Sequence, residues 1–185
     1  MRRPRRTQIP KRRRVFLGCE GQSEVSYAAL LSRIDDARSK SLFIDNVDLG
    51  GGDPLFIVEA ALRQIRDREN KRGAYEIRAV ILDGDTLGRS AERDREAHRL
   101  LANNQIMPIW QQPCHEALLL RHLPDCATRR PSTTLDAMTQ LRARWSQYER
   151  PMSAIRLAER LNLEAIDQAA SVETELHNFL ARLRL

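Results

Sequence analysis

The 185-residue sequence predicts an α/β fold in which helices flank a central parallel four-stranded sheet, with a helical extension after it. Short apolar segments alternate four times with segments of helical periodicity, which is the pattern of a parallel sheet with crossover helices. The third apolar segment, residues 79–82, is uninterrupted, as expected for a strand buried on both faces. Beyond residue 124 only helical periodicity remains.

The predicted elements follow the chain in order. We expect strands at residues 15–18, 42–49, 76–85 and 106–110. We expect helices from Ser23 to about residue 40, at 55–72, at 91–103 and from residue 116. Ser23 is the predicted N-cap of the first helix, because its hydroxyl can accept from free backbone N–H groups, and Asp53 or Pro54 starts the second. Tyr27 belongs to the core or, alternatively, lines the cleft.

The segment 124–185 is interpreted as a helical extension packed on the sheet domain. Helical periodicity covers residues 134–147, 153–161 and 164–183. Trp145 is assigned to the core, and Arg142, Arg144 and Arg150 to a solvated face. The predicted organisation is a basic, disordered arm at 1–14, an α/β domain at 15–123 and the extension at 124–185.

Positive charge is concentrated at the N-terminus. The net charge is +6, but residues 1–14 hold eight of the 31 basic side chains and no acid, so the remainder is slightly acidic. Such an arm either binds phosphate backbones through salt-sensitive counterion release or is a solubilising leader. We select Arg12, Arg13, Arg14 and, beside the acidic motif below, Arg89 as candidate nucleic-acid contacts.

Hydropathy and cysteine content indicate where in the cell the protein is expected. No apolar run approaches the roughly 18 residues that span a bilayer, and the N-terminus lacks the apolar segment of a secretory signal. An odd number of cysteines without a C-x-x-C pair fits a reducing compartment, so we expect a cytoplasmic protein without membrane association. A zinc site from Cys114, His115, His122 and Cys126 is an alternative, but its spacing matches no common structural site.

Acidic residues follow two of the predicted strands. Glu20 comes after the first strand, and Asp83 and Asp85 end the third, so the three acids converge if these strands are neighbours. Clustered carboxylates share a proton or bind a hard cation such as Mg²⁺ or Mn²⁺. Glu24 and Glu116 are further candidates. Alternatively, the two aspartates only cap a turn and Glu24 only complements a helix dipole.

Three motifs resemble those of the RloB-like family of Toprim-like domains. They are Glu20-Gly21-Gln22-Ser23-Glu24 with Tyr27, then Asp83-Gly84-Asp85, then Pro113-Cys114-His115-Glu116 followed by Leu118-Leu119-Leu120 and His122. The resemblance covers residues 15–123. The chain departs from the family at His115, usually Phe, at Leu118, usually Trp, at Arg121, usually Leu, and at Leu123, usually Phe.

The resemblance implies a Toprim/Rossmann-like fold and a Mg²⁺-dependent nuclease. Asp83 and Asp85 would hold the metal, Glu20 would act as ligand or general acid/base, and Glu116 would be an added acidic member. RloB-like proteins look like DNA- or RNA-cleaving effectors of prokaryotic anti-phage systems, often encoded beside an ATPase. Nucleic acid and a partner ATPase are therefore the expected partners.

Three rival interpretations fit parts of the sequence. A catalytically inactive module of the same fold would bind nucleic acid or a partner ATPase. Asp83-Gly84-Asp85-Thr86 also fits the first motif of haloacid-dehalogenase-type phosphatases, but no lysine follows Lys71. The glycines at 50–52 precede a helix, but the Gly-Lys-Ser/Thr of a Walker nucleotide site is missing.

Overall fold

A four-stranded, all-parallel sheet forms the centre of the fold, which confirms the predicted α/β class. The structure is a computed structural model and describes residues 12–184. The strands are β1 (Arg13–Cys19), β2 (Leu42–Asp48), β3 (Ile77–Asp83) and β4 (Met107–Gln111). Their order across the sheet is β2-β1-β3-β4, so β1 and β3 are neighbours.

Strand register aligns the carboxyl ends of the two central strands. In β1 and β3, Cys19 lies opposite Ile81, and on the other side of β3 Asp83 lies opposite Gln111 of β4. Glu20, which follows β1 directly, therefore leaves the sheet at the same edge as Asp83. This edge is where parallel sheets collect ligands.

Helices cover both faces of the sheet. They are α1 (Gln22–Arg38), α2 (Pro54–Arg72), α3 (Ala91–Asn103) and α4 (His115–Arg121). Ala79 and Ile81 of β3 pack with α1 and α4, whereas Val80 and Leu82 pack with α2 and α3. Because alternate residues of β3 enter two different cores, the strand needs an uninterrupted apolar run.

The start of α2 agrees with its prediction, whereas that of α1 does not. Asp53 accepts hydrogen bonds from the N–H groups of the second and third residues of α2, and Pro54 begins that helix. Ser23 is not the N-cap of α1, because the helix already begins at Gln22 and Gly21 occupies the cap position. The carboxylate of Glu24 accepts from the N–H of this cap residue at 3.1 Å, so the side chain that helps to cap the helix is an acid in its first turn.

The extension packs on the α1 and α4 face of the sheet. It contains α5 (Thr134–Arg144), α6 (Ala154–Ala158), α7 (Leu163–Ala170) and α8 (Thr174–Leu183). Leu141, Trp145 and Phe179 belong to the same apolar core as β1 and β3. Trp145 is buried as predicted.

All three predicted helices of the extension differ in extent from the observed ones. The first helix ends at Arg144, because Trp145 leaves helical geometry, and the second is shorter than 153–161. The predicted helix 164–183 is two helices, α7 and α8. The break between them brings Glu173 within 2.6 Å of the buried guanidinium of Arg121 on α4, a tertiary contact that periodicity does not encode.

The N-terminal arm is shorter than predicted at its C-terminal end. Arg13 and Arg14 belong to β1 and pair with Leu42 and Phe43 of β2, so the strand begins two residues earlier than predicted. The rest of the predicted arm, residues 1–11, lies outside the described residues. Among residues 12–184, no helix combines the length and apolar character needed to cross a bilayer.

Candidate functional site

Glu20 and Asp83 are in direct contact at the carboxyl edge of the sheet. The Glu20 Oε2 atom accepts a hydrogen bond from the backbone N–H of Asp83 at 2.9 Å. Glu20 is half-buried, and burial together with nearby Glu24 and Asp85 raises its pKa, which this hydrogen bond partly offsets. The sequence-predicted neighbourhood of these two acids is therefore present in the structure.

Of the acids in the site, Asp83 has the most strongly raised pKa. Its side chain is buried, and its Oδ1 atom has no hydrogen-bond partner within the described residues. Burial raises the pKa of Asp83 to about 9, and the neighbouring acids Glu24, Glu20, Asp85 and Glu116 act in the same direction. A buried carboxyl with several acidic neighbours is held either as the neutral acid or by a cation.

Glu24 joins the cluster from the first turn of α1. It is buried, and burial raises its pKa. One of its oxygens caps the helix at Gly21, and the other lies 3.8 Å from His115 Nδ1. The alternative in which Glu24 serves the start of the helix is thus part of its role, and its other oxygen lies near the ring of His115.

Glu116 lies at the start of α4 and is fully buried. Its Oε1 atom accepts from the Tyr148 hydroxyl at 3.3 Å and lies 3.3 Å from Arg150 Nε. Its Oε2 atom has no hydrogen-bond partner among residues 12–184. Glu116 and Asp83 therefore each present one buried, unsatisfied carboxylate oxygen.

Arg150 is exposed, as predicted for a solvated face, but it also makes a contact with the site that was not predicted. Its guanidinium lies against the acidic cluster, although about half of the side chain remains in contact with solvent. Tyr148 and Arg150 are the site residues that sequence reasoning missed. Their only sequence signal is a Tyr-x-Arg-Pro stretch between two helical segments, and no periodicity places such a stretch.

Asp85 occupies the outer rim of the site. It is exposed and lies in a 3₁₀ turn, Gly84–Thr86, directly after β3. Its Oδ2 atom accepts from the Thr134 hydroxyl at 3.0 Å, which ties the turn to the start of α5. Arg89 is exposed near the same turn, and one of its nitrogens lies 3.5 Å from the Asp85 carbonyl oxygen.

Two buried histidines support the helices that carry the acids. Tyr27 OH lies 2.9 Å from His122 Nε2, whose ring Nδ1 bonds the Leu118 carbonyl at 2.8 Å. Gln111 Nε2 lies 2.9 Å from His115 Nδ1. Burial lowers the pKa of both histidines to about 4, so both are neutral at neutral pH. Tyr27 is a core residue, as predicted.

Comparisons with protein-family models, with curated proteins and with solved structures found no match to this chain. Its function has to be argued from the chemistry of the site. The resemblance to RloB-like proteins remains a prediction from the motifs.

The donors at the carboxyl edge fit a hard divalent cation. Among residues 12–184, no three His, Cys, Asp or Glu side chains already surround one point as metal ligands would. The unpartnered oxygens of Asp83 and Glu116 are nevertheless the kind of donor that Mg²⁺ and Mn²⁺ prefer. A cation would also offset the repulsion within the cluster.

The arginines selected near the N-terminus lie far from this site. Arg12, Arg13 and Arg14 surround the start of β1, whereas the acids lie beyond its end, about 20 Å away for a seven-residue strand. Each contacts a neighbour, respectively Asp36 at 3.2 Å, Glu76 at 2.7 Å and the ring of Tyr75 at 4.2 Å. Of the four selected arginines, only Arg89 shares the edge with the acids.

Proposed function

We propose that this protein is a metal-dependent phosphodiesterase of the Toprim/RloB-like type that cleaves DNA or RNA. The observation that carries the proposal is the pair of buried, unpartnered oxygens of Asp83 and Glu116 beside Glu20. Their place at the carboxyl edge of a parallel sheet is where such folds bind ligands. Concentrated negative charge that Arg150 compensates only in part supports a cationic cofactor.

Glu20, Asp83 and Asp85 are the proposed holders of Mg²⁺ or Mn²⁺, with Glu24 as a further ligand. When bound, the cation would polarise a phosphodiester and lower the pKa of a water molecule. Glu20 is fixed by the Asp83 N–H, so its other oxygen is free to orient or deprotonate water. Glu116, which contacts Tyr148 and Arg150, is a further member of the acidic cluster.

Substrate capture needs positive charge, because the acidic cluster alone repels a polyanion. The basic residues at the N-terminus and the exposed Arg89 are the proposed sources. We further propose that the protein acts in the cytoplasm as an effector of prokaryotic anti-phage defence together with an ATPase. The motif resemblance supports that setting.

A second candidate function is a catalytically inactive module of this fold that binds nucleic acid or a partner ATPase. Two contacts favour it. Asp85 is engaged by Thr134, and Arg150 already provides a cation for Glu116. In this alternative the arginine, rather than a metal, is the permanent partner of the cluster.

Cleavage assays separate the two functions. Purified protein is incubated with plasmid DNA and with RNA in Mg²⁺, Mn²⁺ or EDTA, beside Glu20→Ala and Asp83→Asn variants. Glu96→Gln is the matched control, since that acid lies at the surface and pairs only with Arg99 within the described residues. The nuclease proposal expects cleavage by the wild type and the control, and none with EDTA or in either site variant.

Cleavage that survives EDTA or the Asp83→Asn change contradicts the metal proposal. Absence of cleavage in the wild type, with retained nucleic-acid binding, favours the inactive module. Circular dichroism spectra of all variants establish that each is folded.

A further inference from the structure

Arg150 lies on the loop between α5 and α6, and this loop is packed against the core. Trp145, Tyr148 and Met152 on this loop are all buried in the core shared with the sheet domain. Arg150 projects from between two of these anchors. Its position is therefore set by packing rather than by chance contact at a surface.

The Arg150 guanidinium is only partly used by the protein. Its Nε atom faces Glu116 Oε1 at 3.3 Å, and within residues 12–184 this is its only ion pair. The Arg150 side chain is 48% exposed, and its guanidinium donates no hydrogen bond within the described residues. A guanidinium has donors on two edges, so one edge can hold a carboxylate while the other remains free.

Arg150 is outnumbered by the acids around it. Although partial burial acts in the opposite direction, Glu116, Glu24 and Asp83 together raise the Arg150 pKa. One cation cannot compensate this group, and Glu116 keeps a buried oxygen without a partner among the described residues. The contact is thus a partial neutralisation that a stronger cation could replace.

We propose that Arg150 is the resident counter-ion of the acidic cluster and the ligand of the substrate phosphate. With a divalent cation bound, Glu116 would no longer need the guanidinium as its counter-ion, and the planar donors of Arg150 would be available to a non-bridging phosphate oxygen at the mouth of the site. This inference rests on the proposed metal-dependent function and adds a substrate-binding residue contributed by the extension.

The counter-ion role and the phosphate-binding role predict that one substitution of Arg150 changes metal affinity and oligonucleotide affinity in opposite directions. In Arg150→Gln the competing charge is gone, so Mn²⁺ binds about tenfold more tightly. The same change removes a charged phosphate donor, so the Mn²⁺-dependent part of oligonucleotide affinity falls about tenfold. Arg150→Lys keeps the charge but not the fork, so its Mn²⁺ affinity stays near wild type and its oligonucleotide affinity is intermediate.

Direct binding measurements test this without relying on cleavage. Mn²⁺ affinity is measured by the decrease of the free-ion electron paramagnetic resonance signal. Oligonucleotide affinity is measured by anisotropy of labelled single-stranded DNA and RNA, with and without Mn²⁺, while gels establish that the probes stay intact. Arg156→Gln is the matched control, because it lies on α6 and pairs with exposed Glu149.

Each outcome has one meaning. Tighter Mn²⁺ binding with weaker oligonucleotide binding in Arg150→Gln, and neither change in Arg156→Gln, supports the proposal. Mn²⁺ binding by the wild type that Arg150→Gln leaves unchanged or weakens assigns Arg150 a structural role and overturns this inference alone. Absence of Mn²⁺ binding by both chains overturns it together with the proposed metal site.

Discussion

Glu20 Oε2 accepts a hydrogen bond from the backbone N–H of Asp83 at 2.9 Å, which joins the ends of the two central strands. Beyond the last paired residues of β1 and β3, the N–H of Asp83 is therefore bonded by a side chain rather than by the backbone of the neighbouring strand. A proposed metal ligand here also stabilises the sheet. Substitutions that keep or remove the acceptor oxygen can separate these roles.

Glu20→Gln should retain the fold and lose cleavage. Its amide oxygen can still accept from Asp83, whereas Glu20→Ala leaves that N–H without a partner and costs about 1–2 kcal/mol of unfolding free energy. Urea unfolding and the cleavage assay measure the two effects. Equal destabilisation by both substitutions would show that the charge of Glu20, rather than its acceptor oxygen, stabilises the strand ends.

Asp83→Asn should stabilise the metal-free protein while abolishing cleavage. The raised pKa of Asp83, about 9, means that folding is favoured by the neutral acid, and this contribution is lost as pH rises from the unfolded value towards 9. Asparagine stays neutral throughout, so in EDTA at pH 8, about four pH units above the ordinary pKa of an aspartate, the variant should gain roughly 5 kcal/mol of unfolding free energy.

Urea unfolding at pH 5 and pH 8 measures this gain, which should be larger at the higher pH. Glu96→Gln serves as the control for removing a surface acid. A variant less stable than the wild type at both values would mean that the Asp83 carboxylate is already well compensated in the fold.

Much of the fold follows from local sequence patterns. The uninterrupted apolar run of β3 and its acidic ending located the central strand and the edge where Glu20 and Asp83 meet. Short-range signals also placed α3 at Ala91–Asn103 and the cap of α2 at Asp53. These features depend on residues close together in the chain, so periodicity and turn chemistry suffice.

The missed parts depend on interactions between distant residues. Arg150 lies 34 positions from Glu116, and Thr134 lies 49 positions from Asp85, so no local pattern relates either pair. The break between α7 and α8 likewise coincides with the pairing of Glu173 with Arg121. In each case a polar contact between residues distant in sequence accompanies a structural feature that the amphipathic pattern does not specify.

Removing one partner of the Arg121–Glu173 pair should be strongly destabilising. Arg121 is fully buried; its Nε forms an ion pair with Glu173 at 2.6 Å, and its two terminal nitrogens donate to the Gln112 carbonyl oxygen. Glu173→Gln leaves the buried guanidinium without its counter-charge, at a cost of about 3–5 kcal/mol in unfolding free energy.

The double variant Arg121→Met with Glu173→Leu should lose less stability than Glu173→Gln alone, because no buried charge remains. Urea unfolding of the single and double variants gives the comparison. A double variant with the summed losses of both single variants would show that the two side chains do not interact energetically.

His122 should make stability depend on pH. Its pKa is lowered to about 4 by burial, so its stabilising effect is complete above the ordinary value of 6.5 and is lost as pH falls towards 4. The expected slope is about 1 kcal/mol per pH unit in that window. Glu20 and Glu24, whose pKa values are raised, act in the opposite direction.

The His122 contribution is isolated by comparing the wild type with His122→Gln from pH 7 to pH 4. The difference in unfolding free energy should shrink as pH falls, since only the wild type has to bury an ionising imidazole. His98→Gln is the control, because His98 is exposed. A difference that stays constant across the window would contradict the assignment.

Deleting residues 1–11 should weaken nucleic-acid binding without changing the metal site. Five Lys and Arg side chains are removed, so oligonucleotide affinity should fall, and its log–log salt slope should become shallower by about 0.7 for each phosphate that these side chains neutralise. Mn²⁺ affinity should not change, because the deletion ends before β1 while the acids lie past its far end, about 20 Å away.

Anisotropy titrations between low and high salt measure the salt slope of oligonucleotide affinity, and paramagnetic resonance measures Mn²⁺ affinity. Unchanged oligonucleotide binding would assign capture to Arg89 and Arg150 at the acidic edge instead.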